Sequence, residues 1–300
     1  MMFNKEKIND LSLDKLQISS SIYRDALIRF KRHKMAMTSL LILGLVILLA
    51  MIEPWFSPYA YDYVDWNVAF PSAPSISQGH IFGTDSNGRD LFVRLMMGVR
   101  ISIIIGLLAS MVSLTIGVLW GSISGYLGGK TDLIMMRIID ILYAVPFMFL
   151  IIILVVVFGK NIYLIFISIG AISWLTMARI VRGQTISIKN KEYIEAAKSY
   201  SLPTHLIISR HVIPNLLSTV IIYLTLTIPQ VILVESFISF LGLGVQEPNT
   251  SLGVLIAEGS RVIEDYPWMF FAPFVFLATI LFCFNFIGDG IRDALDQTNK

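Results

Sequence analysis

The sequence predicts an all-α protein that crosses a membrane several times, and its composition carries this prediction. Hydrophobic residues make up 55% of the 300 residues, and charged residues make up only 15%. A soluble domain usually carries about 25% charged residues. The mean hydropathy of +0.73, together with the grouping of apolar residues into long runs, therefore indicates a membrane protein.

Six apolar runs are long enough to cross the hydrocarbon core of a bilayer, which takes about 20 residues. Backbone inside a bilayer must satisfy its own hydrogen bonds, so each run is predicted to be a helix. The six runs are residues 35–52, 101–123, 133–158, 162–181, 216–240 and 269–287. We expect one membrane domain over residues 35–300, since no internal repeat is present.

A polar, basic segment, residues 1–34, precedes the first run, and no small-residue cleavage site follows that run. The run is therefore predicted to be a retained span instead of a secretory signal. Residues 21–34 carry apolar residues at helical spacing, which is typical of an amphipathic helix at a membrane surface. A basic flank that only sets the orientation of the chain explains the same residues equally well.

Positive charge falls mainly on one side of the predicted membrane. Of the 23 Lys and Arg residues, 17 lie at Arg179 or in the segments 1–34, 124–132, 182–215 and 288–300. Lys and Arg are enriched on the cytoplasmic side of membrane proteins. Both termini are therefore predicted to be cytoplasmic, and the loops 53–99 and 241–268 are predicted to lie outside.

The polar segment between the fourth and fifth runs, about residues 182–215, is predicted to contact a soluble partner; we name it the elbow. Glu192, Glu195 and the two alanines that follow favour a short helix. Pro203 has no amide hydrogen and disfavours helix at the residue before it, so the chain should turn there. We expect the elbow to receive movement from outside the membrane and to pass it to the spans.

Residues 124–131 nearly match a phosphate-binding loop, but they lie between two predicted spans instead of between a strand and a helix. We interpret them as a tight turn at Gly128 and Gly129. The sequence contains no paired cysteines, no zinc-protease motif and no nucleophile-elbow motif. We therefore expect no catalytic residue, cofactor or metal ligand in this chain, and a packing role for Cys283.

Glycines punctuate the second run at intervals of four residues, at Gly117, Gly121 and Gly125. This small-xxx-small spacing lets membrane helices approach closely. The pattern predicts that the second span packs tightly against a neighbour and is able to slide along it.

Two carboxylates and two prolines inside the apolar runs are candidates for a pathway or a hinge. Asp140 lies three residues from Arg137, and we expect these two side chains to form an ion pair at the inner boundary. Glu235 should lie near the outer end of the fifth span and face the bundle interior, where it contacts substrate or caps neighbouring backbone. Pro146 and Pro229 each remove a helical hydrogen bond, so kinks there shape a cavity or act as hinges.

The elbow resembles the EAA loop of ABC importer permeases. The resemblance lies in Glu195, Ala196 and Ala197, then Ser201 after three residues, and then an apolar-x-apolar-Pro ending at Pro214. The family usually has glycine at the position of Ser201.

Further segments look like the signatures of the permease subfamily that serves oligopeptide, dipeptide and nickel importers. These segments are residues 80–90, 136–140, 178–184, 239–244 and 288–293. The first of them contains Gly83, Thr84, Asp85, Gly88, Arg89 and Asp90. The resemblance runs from about Tyr23 to Asp296, and the residues near the first span resemble the C-type permease of the family's pair.

The resemblance implies a type I ABC importer permease fold with six transmembrane helices, in the cytoplasmic membrane of a bacterium. It implies a paralogous B-type permease, two cytoplasmic ABC ATPases that bind ATP and Mg²⁺, and an extracellular substrate-binding protein. Coupling to an ATPase would use Glu195, Ala196, Ala197, Ser201 and Pro214. The chain itself would be no enzyme and would bind no nucleic acid.

The implied cargo is a short peptide, and nickel or a metal chelate is the alternative within the same subfamily. A different class, an ion channel or a membrane enzyme, is disfavoured by the residues themselves. A channel needs a filter or a ring of charge, and the run from Leu241 to Gly244 alone is neither. A membrane enzyme needs a nucleophile with a base or a metal cluster, and the sequence shows no such motif.

Overall fold

The computed structural model of the chain describes residues 22–68, 70–159 and 161–295. Residues 1–21 of the predicted basic segment lie outside these ranges, as do the last five residues of the predicted tail. Within the described ranges the fold is helical, and extended pairing is limited to three isolated antiparallel bridges between residues 64 and 90. The predicted all-α fold is confirmed.

The helices follow one another with short connections, except at two long loops. In chain order they are α1 (Ile22–Arg32), α2 (Lys34–Phe56), α3 (Leu91–Leu127), α4 (Gly129–Ala144), α5 (Phe147–Phe158), α6 (Ile162–Lys189), α7 (Glu192–Ser199), α8 (Thr204–Ile207), α9 (Ile213–Phe240), α10 (Leu252–Ser260) and α11 (Trp268–Leu295). A π-helical turn, Ile208–Val212, joins α8 to α9.

Among the described residues, five helical segments are long and apolar enough to cross a membrane: α2, α3, α6, α11, and the continuous stretch Thr204–Phe240. The third predicted run, 133–158, is not a single helix. It is divided between α4 and α5, which are bent by 83° relative to each other. Pro146 at the break has no amide hydrogen to donate, which explains why the helix stops before it. The predicted number of six spans is therefore reached only if this bent pair of helices is counted as one span.

Helices α3 and α6 pack along a seam of glycines. A β-carbon added at Gly117 would lie 2.6 Å from the β-carbon of Met177. One added at Gly125 would lie 2.8 Å from the carbonyl oxygen of Arg182, and one at Gly170 would lie 2.8 Å from the carbonyl oxygen of Ala109. The predicted close approach of the second span to a neighbour is confirmed, and that neighbour is α6.

The bundle has two ends, which we name by the segments they carry. The loop end carries residues 57–90 and 241–267, and the elbow end carries residues 124–132 and the elbow. At the elbow end, Gly128 and Gly129 have φ values of +69° and +56°, which forms the predicted tight turn between α3 and α4.

Helix α1 packs on the last span instead of standing apart from the bundle. Phe30 of α1 and Ala36 of α2 lie against Gly290 of α11. The imidazole of His33 accepts a hydrogen bond from the Ala36 amide and so caps the start of α2. Cys283 is buried in the apolar core, in agreement with its predicted packing role.

Candidate functional site

The elbow helix α7 has one buried side and one exposed side. Ile194 is fully buried and Ala197 is 5% exposed, in a cluster that includes Val181 of α6. Glu195 and Ala196 are exposed. The side chain of Ala197 packs inside its own chain, while that of Ala196 does not. The predicted role of both alanines in coupling to a partner stays a prediction.

Ser201 ends the elbow helix in the left-handed conformation, with φ of +54°. Its amide donates to the carbonyl of Lys198 at 2.8 Å, and the amide of Leu202 donates to the carbonyl of Ala197 at 3.3 Å. This pair of bonds is the Schellman motif, in which glycine is the usual residue at the left-handed position. The turn therefore keeps its geometry with serine in that position, at a conformational cost of about 1 kcal/mol.

Pro214 lies in the first turn of α9, directly after the π-helical turn. Its ring needs space beside the carbonyl four residues earlier, and it cannot donate to that carbonyl. The amide of the preceding residue, Ile213, donates to the carbonyl of Ile208, which lies five residues back where an α-helix would use the residue four back. The wider turn thus joins the elbow to the fifth span without interrupting the helix.

An ion pair fastens α4 to α6 beside the elbow. Arg182 donates from Nε and Nη2 to the two carboxylate oxygens of Asp132, at 2.5 and 2.6 Å. The hydroxyl of Ser124 on α3 donates to the same carboxylate at 2.5 Å. Because both partners are partly buried and the carboxylate is well bonded, this group acts as a structural clamp on three spans.

At the loop end, the signature segment 83–90 folds back on itself. Gly83 and Gly88 have φ values of +77° and +76°, and a β-carbon at either would clash with neighbouring atoms. The hydroxyl of Thr84 accepts from the Ser72 amide at 2.8 Å. Asp85 accepts from the Arg89 amide at 2.9 Å and from Arg89 Nε at 2.7 Å. The glycines and the carboxylate therefore fix the shape of the segment.

Ion pairs tie the signature segment and the start of α3 to residues 241–267 of the loop end. Arg89 Nη2 donates to Glu247 Oε1 at 3.0 Å, and Arg94 Nη2 donates to Glu258 Oε1 at 3.3 Å. Arg94 is fully buried and lies 3.3 Å from Asp85. Sequence reasoning missed the two glutamates, which lie more than 150 positions away from their arginines.

A buried histidine links the first loop to the start of α3. His80 lies between two carboxylates, with Nδ1 2.7 Å from Asp90 and Nε2 3.4 Å from Asp65. Asp90 also accepts from the Val93 amide and so caps α3. The amide of Asn67, and then His80, lower the pKa of Asp65.

Asp140 does not pair with Arg137, and that prediction is wrong. Asp140 Oδ1 accepts from Arg179 Nη2 of α6 at 2.7 Å. The packing of α6 beside α4 brings the Arg179 guanidinium directly to the carboxylate, and α4 ends one turn further on, at the Pro146 break.

Pro229 and Glu235 both lie in α9 and are buried. The helix continues through Pro229 without a break. Glu235 is fully buried and accepts from the hydroxyls of Ser239 at 2.7 Å and Ser102 at 3.2 Å. Ser102 in turn accepts from the Leu252 amide at the start of α10. Glu235 thus reaches neighbouring backbone through a serine, and its role in a pathway stays a prediction.

Comparison with known proteins identifies the family. Residues 113–300 match the model of the family described as "Binding-protein-dependent transport system inner membrane component". Residues 21–74 match the "N-terminal TM domain of oligopeptide transport permease C".

Relatives match almost the whole chain. The oligopeptide transport system permease protein OppC of Haemophilus influenzae is 51% identical, over 98% of this chain and 93% of its own length. OppC of Bacillus subtilis is 44% identical, over 98% and 96%. The dipeptide transport system permease protein DppC of Bacillus subtilis is 40% identical, over 98% and 91%.

A solved structure shares the fold. A chain of the inward-facing MetNI methionine ABC transporter matches with a TM-score of 0.57 at 17% identity, over 69% of this chain and 97% of that one. The chain described here therefore belongs to the binding-protein-dependent inner membrane permeases of ABC importers, and within them to the C-type permeases related to OppC and DppC.

Proposed function

We propose that this chain is one of two permease subunits of a bacterial ATP-driven importer of oligopeptides or dipeptides. A paralogous B-type permease forms the other half of the passage, two cytoplasmic ABC ATPases supply the work, and an extracellular substrate-binding protein delivers the peptide. ATP and Mg²⁺ are proposed to bind to the ATPases. This chain is proposed to catalyse no reaction itself and to bind no nucleic acid. Relatives named for both peptide classes, at 40–51% identity, support the peptide cargo.

The observation that carries the proposal is the two-sided elbow helix. Its buried side, Ile194 and Ala197, is packed into the bundle, and its exposed side offers Glu195 and Ala196 to a partner. A partner that binds the exposed side and moves it also displaces the spans packed against the buried side, because close-packed interiors transmit displacement. The elbow is therefore proposed to be the lever through which an ATPase acts.

The proposed orientation places the elbow end in the cytoplasm, with both termini there, and the loop end outside. The excess of Lys and Arg at the elbow end supports this orientation. The basic segment 1–34 then lies in the cytoplasm, and the permease domain covers residues 35–300.

The loop end is proposed to receive the substrate-binding protein. Several large side chains there are exposed: Trp66 is 80% exposed, Ile76 is 88% exposed and Tyr63 is 49% exposed. Aromatic residues on a rigid, ion-paired frame are suited to forming a protein interface.

ATP-driven closure of the ATPases is proposed to tilt the third to fifth spans and open the passage outward. Pro146, at the existing break, and Pro229 are the proposed hinges. Moving a two-state equilibrium from 1:99 to 99:1 takes about 5.5 kcal/mol of differential binding. ATP binding by two partner subunits is an adequate source of that energy.

The test is peptide uptake by the reconstituted five-component importer carrying Glu195→Arg, with Glu192→Arg as a control for charge reversal on the same exposed helix. We expect Glu195→Arg to lose both the co-purified ATPase and uptake, and Glu192→Arg to retain more of each. Uptake and ATPase stimulation that do not change in Glu195→Arg would rule out the coupling role. Uptake of a nickel chelate in preference to peptides would move the cargo to the alternative within the subfamily.

A further inference from the structure

Four polar side chains meet at the break in the third span, and we name them the break cluster. They are Asp140 and Tyr143 of α4, and Thr176 and Arg179 of α6. Arg179 donates to Asp140 at 2.7 Å, and its guanidinium carbon lies 4.2 Å from the centre of the Tyr143 ring. The hydroxyls of Tyr143 and Thr176 are 2.5 Å apart.

The break cluster is exposed just inside the predicted inner boundary of the third and fourth spans. The side chains of Arg179 and Asp140 are 46% and 52% exposed. Arg179 is the eighteenth residue of α6, which begins at Ile162, so it falls within the roughly 20 residues that cross the hydrocarbon core. Charged groups at such a depth face protein or a water-filled cavity. This face of the chain is therefore not a lipid surface.

The backbone at the break leads to the same conclusion. Val145 and Pro146 are exposed and are not helical. Pro146 has no amide hydrogen, so the carbonyl of Leu142 loses its helical donor. Irregular backbone at membrane depth occurs only where it is buried in protein or lines a water-filled cavity. Broken helices of this kind form solute sites in other transporter folds.

The Asp140–Arg179 pair also has unused hydrogen-bonding capacity, unlike the neighbouring pair between the same two helices. Asp132 receives two bonds from Arg182 and a third from Ser124. Among the described residues, Arg179 and Asp140 form a single hydrogen bond with each other. A guanidinium has five N–H donors and a carboxylate has two oxygens, so a donor and an acceptor of opposite charge remain side by side.

We propose that the break cluster is a contact site for the peptide inside the passage. The Arg179 guanidinium receives the terminal carboxylate, the Asp140 carboxylate receives the terminal ammonium, and the two hydroxyls bond to peptide amides. Because an extended peptide spans about 3.3–3.6 Å per residue and the two charged groups are 2.7 Å apart, the site receives the two ends of a zwitterionic peptide one after the other as it passes. This assignment rests on the proposed peptide import, and it gives that function a binding site in this chain.

The first experiment measures uptake by the complete importer in proteoliposomes, with trialanine, trialanine amide and N-acetyl-trialanine as probes. Uptake by each variant is divided by wild-type uptake for the same probe, so that selection by the binding protein cancels. Arg179→Gln should lower trialanine and N-acetyl-trialanine uptake about tenfold and leave the amide within about twofold, because one charge-assisted bond is lost. Asp140→Asn should instead spare the N-acetyl probe. Asp132→Asn, the matched control in the structural clamp, should lower all three probes by one common factor.

Equal loss of all probes in Arg179→Gln, or no loss of any, would overturn the assignment while leaving peptide import intact. Loss of the co-purified partner permease in Arg179→Gln would also overturn it, since the cluster would then be a subunit contact. A wild-type importer that takes up none of the probes would overturn the proposed function and the assignment together.

A second experiment does not depend on how the charge variants fold or on which probes are imported. Thr176→Cys is tested in the complete importer for reaction with a membrane-impermeant thiol reagent, and Ile153→Cys serves as the control, since Ile153 is 55% exposed on the apolar helix α5. We expect Thr176→Cys to react at least about tenfold faster, because thiolates form in water and not in lipid, and we expect liganded binding protein to slow it. Equal reactivity at the two positions, or no protection by peptide, would overturn the assignment.

Discussion

Replacement of Gly121 by alanine tests the glycine seam, because the added atom has no space. A β-carbon at Gly121 would clash with the carbonyl oxygen of Ala178, and it would lie 2.8 Å from the β-carbon of Val181 and 2.9 Å from the amide nitrogen of Arg182. Two of these three atoms belong to the backbone of α6, so a side-chain rotation cannot relieve the contact. The two helices must move apart.

The expected cost follows from two opposing effects. Overpacking a tight interior costs about 1–3 kcal/mol. Replacing glycine by alanine inside a helix returns about 0.5–1 kcal/mol. Gly121→Ala should therefore lower stability by up to about 2.5 kcal/mol, which corresponds to a fall in Tm of up to about 10 °C for a chain of this size.

Gly183, in α6, supplies the matched control, because a β-carbon there would meet no atom within 4 Å. Gly183→Ala should show only the stabilisation of about 0.5–1 kcal/mol from replacing glycine by alanine inside a helix, and should raise the Tm by up to about 4 °C. Thermal unfolding of the two purified variants in one detergent gives both shifts. A Tm for Gly121→Ala equal to or above that of Gly183→Ala would refute the argument that the seam is closed at Gly121.

Three further predictions concern the elbow and the loop end. Ala196→Trp should leave the Tm within about 2 °C of wild type but abolish ATPase co-purification. Ala197→Trp should instead lower stability by about 1–3 kcal/mol, because the side chain of Ala197 is buried and that of Ala196 is not. The opposite pattern would show that the exposed and buried sides of the elbow helix are assigned the wrong way round. Ser201→Gly should raise stability by about 1 kcal/mol in denaturant unfolding, because glycine adopts the left-handed conformation without strain, and a decrease would contradict the Schellman geometry. The pKa of Asp65 is lowered from its ordinary value of 3.8, so its carboxylate stabilises the fold above about pH 4 and this contribution is lost as the pH falls through the lowered pKa. Thermal unfolding of Asp65→Asn should therefore show reduced stability at pH 6 and a smaller further loss by pH 3 than the wild type, and an equal loss in both would contradict the hydrogen bond from Asn67.

Features set by neighbouring residues were predictable from the sequence. The apolar runs indicated the spans, because each helix satisfies its own backbone whatever lies beside it. The glycine interval of four residues indicated the seam, and Pro203 indicated the turn of the elbow. The same local reasoning explains why Pro146 was recognised as a site of distortion, although its 83° bend depends on how α5 packs against α6.

Features that depend on distant partners were not predictable in the same way. Asp140 binds an arginine 39 positions away, while the local Arg137 was the only partner that helical spacing suggested. Glu247 and Glu258, which form ion pairs at the loop end, lie more than 150 positions from their arginines. Helix α10 was missed because its nine residues give too few turns for a clear period, although Ser251 before an apolar run was an available signal.

A separate ATPase is proposed to move this chain by binding the exposed side of the elbow helix. ATP-driven uptake of labelled trialanine into proteoliposomes, by importers that differ only at Ala196, tests whether the ATPase acts there. We expect robust uptake with alanine at position 196, and none with tryptophan, even though the variant permease stays folded and remains bound to its partner permease. Uptake at the wild-type rate with tryptophan in that position would show that the ATPase does not act through the exposed side of the elbow helix.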